Sequence, residues 1–295
     1  MRSRVLLAAA VLAAAAAFAR PASAAAQRDS AAAPADAALR VVRLADGSVL
    51  YGRIVSDDGQ SVVVQTEAGA RVELQRAQIR SIERLRGTIR NGEVWPSDPN
   101  GTRLLFGPTA RTLRQGEGHF ADYELALPFV DYGVDDRFTV SGGTPIIPGA
   151  IGKAFYAELR GQIVSAPTLK ISAGALAFAT TESSEAAGVL YAVGTYGTDD
   201  ASVTAAAGFP FVTGESIDQT PAIMLGGEYR VARRAKLLTE NYFVPGESGA
   251  VLMGGVRFFG ERLSADAGLG YVAGVGCDQE CIFPVVNFVY SFGRR

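Results

Sequence analysis

The chain has 295 residues, 48% of them hydrophobic and 20% charged, with 34 glycines, a composition that excludes both disordered chains and small disulfide scaffolds. Its 28 Lys and Arg stand against 30 Asp and Glu, which excludes the broad basic surface that neutralises phosphates, so no nucleic-acid partner is expected. One histidine and two cysteines supply too few ligands for a multi-residue zinc site, and no metal or cofactor is expected.

Residues 1–24 carry Arg2 and Arg4, an apolar run from Val5 to Ala19, and the small-x-small triplet Ala22-Ser23-Ala24. This is the pattern of a cleaved signal peptide, its apolar run shorter than the ~20 residues a spanning helix needs. Removing it takes away Arg2, Arg4 and Arg20 and no acid, so the formal charge of -2 becomes -5. Ala-rich residues 25–38 read as a flexible leader.

From Leu39 short strand patterns alternate with the turn pairs Asp46-Gly47, Asp58-Gly59 and Ala68-Gly69, the positions where hairpins need a left-handed residue. Five strands across 39–86, the last preceded by a break at Arg76 to Gln78, resemble a small SH3-like or Sm-like barrel. In a secreted chain such a domain is expected in the periplasm, in contact with a protein or cell-wall partner. Residues 87–101, with Gly87, Gly92, Trp95, Pro96, Pro99 and Gly101, read as a linker.

Beyond Thr102 the pattern is period two. Tyr123, Leu125, Leu127 and Phe129 share one face. Leu225, Gly227 and Tyr229 alternate with Met224, Gly226 and Glu228, and Val256 and Phe258 flank Arg257. A soluble sandwich would alternate in the same way, with its apolar faces turned inward. Three features favour a membrane barrel across 102–295: strands of about 10 to 12 residues, tight turns at 133–136, 165–168, 197–200, 232–235 and 260–263 alternating with longer loops, and an aromatic last strand, Val286, Phe288, Tyr290 and Phe292. Five tight hairpins and the last strand give eleven. Parity calls for a twelfth, which Thr102–Phe106 supplies. The expected fold is therefore all-β: a twelve-stranded antiparallel transmembrane barrel in outer-membrane lipid, with the small domain on the periplasmic side.

The stretch NGTRLLFGPTARTLRQGEGHFADYEL, followed by VDYGVDDRFTVSGGT, resembles a family of uncharacterised Gram-negative outer-membrane barrel proteins. They carry a similar TR-x-x-FGPTA-x-x-L-x-x-GEG segment before a YGV-x-DR hairpin. The resemblance implies the barrel and no particular activity.

Asp122, Glu124, Glu158, Arg160, Lys170, Glu228, Arg230, Arg257 and Asp266 are expected to point into the lumen, either as an ion pathway or as pairs bracing the wall across strands. Glycine and alanine on the lumen face favour a narrow pore. Cys277 and Cys281 are expected to close an outer-loop disulfide. His119, placed at the outer start of a strand, is a rim residue on this reading. The alternatives are an outer-membrane lipid hydrolase or acyltransferase using His119, and a soluble periplasmic binding protein. Phosphate loops and nucleophile elbows are absent from the sequence, so the leading expectation is a channel or structural envelope protein, not an enzyme.

Overall fold

The computed structural model describes residues 39–274 and 281–293. The expected signal peptide, the leader and Cys277 lie outside these residues. The chain divides after Arg84 into two compact units.

In the first unit, β1 (Arg40–Leu44), β2 (Val49–Asp57), β3 (Ser61–Gln65), β4 (Arg71–Gln75) and β5 (Ile79–Arg84) form one antiparallel sheet in the order β4-β3-β2-β1-β5. A single 3-10 turn, Arg76–Gln78, precedes β5. Alternation turns Val42, Val62, Val64 and Leu74 into a common core. The hairpin turns carry Gly47, Gly59 and Gly69 at φ of 90°, 85° and 86°, where a side chain would be strained. Asp58 fastens its turn by accepting from the Gln60 and Ser61 amides at 2.9 and 2.6 Å, and these bonds hold its carboxyl below the usual range.

The second unit begins with the hairpin β6 (Gly87–Arg90) and β7 (Glu93–Pro96), in the stretch expected to be a linker. After residues 97–116 the chain enters a closed barrel of twelve strands: β8 (Glu117–Tyr123), β9 (Leu127–Gly133), β10 (Phe138–Gly143), β11 (Ala154–Ser165), β12 (Leu169–Thr180), β13 (Ala186–Gly197), β14 (Ala201–Val212), β15 (Ala222–Ala232), β16 (Ala235–Phe243), β17 (Ala250–Phe259), β18 (Leu263–Ala273) and β19 (Ile282–Gly293). Every strand pairs antiparallel with its sequence neighbour, and β19 closes on β8 with Asn287 opposite Tyr123 and Gly293 opposite Glu117.

The count of twelve is as expected, but one of its members is different. Thr102–Phe106 is not a wall strand. The twelfth strand arises because the segment read as continuous through Tyr123 and Phe129 folds back at Glu124 and Leu125, whose φ values are 54° and 56°, with the Ala126 amide donating to Tyr123 O at 3.1 Å. Leu125, at the exposed tip, keeps the apolar alternation running through the turn and so conceals it.

The wall is inverted relative to a soluble sheet. Leu159, Val203, Leu225, Leu237, Leu252 and Leu269 are exposed on its outside, whereas Arg160, Lys236, Glu240 and Arg257 are fully buried inside. Exposed rings cluster near the two rims: Tyr132, Phe138, Tyr196, Tyr229, Phe258 and Tyr290 toward the short-turn end, and Phe155, Phe209, Phe243 and Tyr271 toward the other.

Candidate functional site

Residues 97–115 run through the lumen and plug it. No regular element spans them. Asn100, Thr102, Leu104, Leu105, Thr109, Ala110 and Leu113 are nevertheless buried, Leu104 and Leu105 completely. The segment folds on itself: the Leu104 amide donates to Gly107 O and the Thr109 amide to Thr102 O, both at 2.9 Å. The chain turns between Leu104 and Gly107, and Gly107 suits a close approach of the wall. A Cβ there would overlap Met224 Sδ and lie 2.7 Å from the Tyr242 hydroxyl.

A plug without secondary structure leaves its backbone groups unpaired, and burying them unsatisfied is costly. Side chains from around the wall meet them. The Phe106 and Gly107 amides donate to the buried Glu240 carboxylate at 3.0 and 2.9 Å. Asn287 Nδ2 donates to Leu105 O at 2.8 Å. Ala110 donates to Thr195 Oγ1 at 2.9 Å and accepts from Ser172 Oγ and Gln162 Nε2, both at 2.8 Å. The Leu113 amide donates to Thr139 Oγ1 at 3.0 Å, and Arg160 reaches Thr102 O and Thr109 O at 3.1 and 3.3 Å.

Charges are matched in the same way. Arg257 forks onto Asp266 across the ladder at 2.7 and 2.8 Å. It also donates to Asp98 at 3.1 Å and to the carbonyls of Asn100, Arg103 and Leu104 at 2.8, 3.1 and 2.5 Å. Lys236 bridges Asp98 and Glu228 at 3.1 and 2.9 Å, and plug residue Arg111 donates to Glu228 at 2.6 Å. Asp98 therefore has two cations, Arg257 and Lys236, each at 3.1 Å. Plug residue Arg103 pairs with Glu158, lies 3.6 Å from Asp131 and sits over the Phe129 ring at 4.9 Å. Arg160 is less fully served, its Nε and Nη2 having no partner within the described residues.

An apolar cluster caps the plug tip: Leu104 and Leu105 pack with Met224, Leu238, Met253 and Val285. Burial of each such side chain is worth roughly 1.5–3 kcal/mol.

Of the residues expected in the lumen, Glu158, Arg160, Glu228, Arg257 and Asp266 are there and buried. Arg230 and Lys170 lie near the short-turn end, Arg230 on Asp200 at 2.7 Å and Lys170 opposite Thr195. Asp122 and Glu124 do not join them. Asp122 shares the face of exposed Phe120 and pairs with exposed Phe288, while Glu124 is in the β8–β9 turn and accepts from the Val286 amide at 3.2 Å. Most of the inner charges grip the plug as well as their wall neighbours. His119 is likewise not at an outer rim. It is 2% exposed, faces the lumen near the short-turn end, and places Nδ1 3.6 Å from Asp131 Oδ2. Cys281 is disulfide-bonded, and its expected partner Cys277 lies outside the described residues.

The plug itself is absent from the sequence reading, although its signal is present. The TR-x-x-FGPTA-x-x-L run that carries the family resemblance is the inserted segment.

No protein-family model matches the chain, and no curated protein matches it by sequence. Among solved structures it is similar to the KdgM porin, at 13% identity over 60% of this chain and 98% of that one with a TM-score of 0.43. The NanC porin matches at 8% identity over 61% and 98% with a TM-score of 0.40. The outer-membrane protein OmpT of Vibrio cholerae matches at 16% identity over 86% and 95% with a TM-score of 0.35.

Proposed function

We propose that the protein is an outer-membrane channel held shut by its own segment 97–115. Membrane location is supported by the inverted wall, which combines an outer apolar band with aromatic residues toward both rims and a charged interior. In water, that outer band would far exceed the few hundred Å² of contiguous apolar surface a soluble monomer usually exposes. The short turns then face the periplasm, as do Glu117 and Gly293, the two ends of the wall. The first unit is an SH3-like module on that side, available to a periplasmic protein or cell-wall partner.

The observation that carries the channel reading is the plug's bonding. Its partners are charged and hydroxylated side chains on the inner wall, such as Glu240, Arg257, Ser172 and Thr195. A lumen that is polar once the plug is withdrawn conducts solutes. A barrel that served only as scaffold could fill its interior with apolar side chains. Vesicle-swelling assays test the reading: protein lacking residues 98–115 should admit small sugars, and the intact protein should not. Impermeable vesicles with both proteins, each folded, would leave the barrel as a structural element only.

A further inference from the structure

We infer that the short-turn end of the barrel holds a binding pocket for a small anion carrying a carboxylate or phosphate group. A cavity of about 350 Å³ opens there, between the β6–β7 hairpin and the turns of the wall. That volume is in the range of small-molecule sites. Its wall presents four cations, Arg90, Arg111, Lys170 and Arg230, against two carboxylates, Asp199 and Asp200.

The carboxylates do not cancel the cations. Asp200 is divided between Arg90 and Arg230, the latter at 2.7 Å. Asp199 is 69% exposed and only approaches Arg111 Nε, at 3.8 Å. The Lys170 ammonium makes no hydrogen bond or ion pair among the described residues. Arg111 is already balanced by the buried Glu228 carboxylate at 2.6 Å, so the cavity carries an excess of one positive charge, on a flexible amine with all three of its donors unused. An anion is the ligand such a wall attracts, and Thr198, also on the wall, adds a hydroxyl group that can donate to it.

The arrangement is held in place rather than loose. Trp95 is flanked by Arg90 at 4.6 Å and Arg230 at 5.8 Å from its ring centroid. Arg230 Nη2 donates to Pro96 O and Arg233 Nε to Val94 O, both at 2.7 Å, tying the hairpin to the wall. Arg111 belongs to the plug as well, so a bound anion would lie against the plug's own cation.

Trp95 is the only tryptophan in the chain and provides the readout. Full-length protein in detergent micelles should show a saturable change in tryptophan fluorescence on titration with inorganic phosphate or with succinate at constant ionic strength, and chloride should give none. Whichever of the two saturates at the lower concentration distinguishes phosphate from carboxylate. Lys170→Ala, which removes an unpaired amine and should leave folding intact, is expected to raise the half-saturating concentration at least tenfold. Lys153→Ala, at the opposite end on an exposed pair with Glu182, should leave it unchanged. A linear response to both anions, or equal saturation in Lys170→Ala and the intact protein, overturns the proposal.

Discussion

Replacing Arg257 by methionine keeps the bulk of the side chain and removes its charge and donors. Four of its six hydrogen bonds go to the plug, namely to Asp98 and to the carbonyls of Asn100, Arg103 and Leu104, and the other two to Asp266. Removing one partner from a buried ion pair costs about 3–5 kcal/mol. The four plug bonds do not add independently beyond that, because they share one guanidinium. The loss falls on the plugged state: with the plug in place Asp266 is buried without its cation, whereas with the plug withdrawn water reaches it. At a factor of ten for about every 1.4 kcal/mol, the balance between plugged and open barrel shifts roughly 100- to several-thousand-fold toward open. The barrel's backbone ladder is untouched, so heat-modifiable migration on gels should persist. Single-channel recording should then show frequent openings in Arg257→Met and rare or none in the intact protein or in Lys153→Met. An Arg257→Met protein that folds and stays as silent as the intact one would refute the reasoning that this arginine holds the plug.

Other outcomes follow from the same geometry. Gly107→Ala should also raise opening frequency, since its methyl would press on Met224 and Tyr242; unchanged recordings would mean that the tip has room. Leu225→Arg, on the exposed outer face, should impair assembly by about 2–4 kcal/mol if it lies near the bilayer midplane, and Leu225→Gln should still assemble, as gel shift will show. Met224→Arg, on the opposite face of the same strand, enters the apolar cluster over the plug tip and should unseat the plug, visible as increased conductance with the barrel intact. Asp58 has a lowered pKa when folded, so its contribution is present above the unfolded value near 3.8 and is lost as pH falls through the lower folded value. The stability difference between intact protein and Asp58→Asn in urea melts should therefore shrink on acidification, and a difference that widens would contradict the assignment.

Much of the wall was legible in the sequence because each strand obeys one rule, apolar outward and polar inward, and a tight turn marks each hairpin. The rule misled where two physical situations share a pattern. Leu125 continues the alternation through a turn, since an apolar residue at an exposed tip looks like one on a strand face. Thr102–Phe106 looks like a strand because an inserted segment, like a strand, buries Leu104 and Leu105 while exposing polar groups to partners. The inner charges were identifiable by type and face, as with Arg257 beside Asp266. Their main partners were not, because the carbonyls of Asn100, Arg103 and Leu104 lie more than 150 positions away and no periodicity encodes that distance. The short-turn pocket was hidden for the same reason, Arg90, Arg111, Lys170 and Arg230 being brought together only by barrel closure.

Solvent access at Ala110 tests most directly whether the plug occupies the lumen of the membrane-embedded protein. Ala110 is fully buried and held by Thr195, Ser172 and Gln162, and a cysteine there is a small change. In a background with Cys277 and Cys281 replaced by serine, Ala110→Cys in lipid vesicles should resist a small water-soluble thiol reagent from both sides and react once the barrel is unfolded. Reaction at the rate of a cysteine placed at exposed Ser183 would contradict the account.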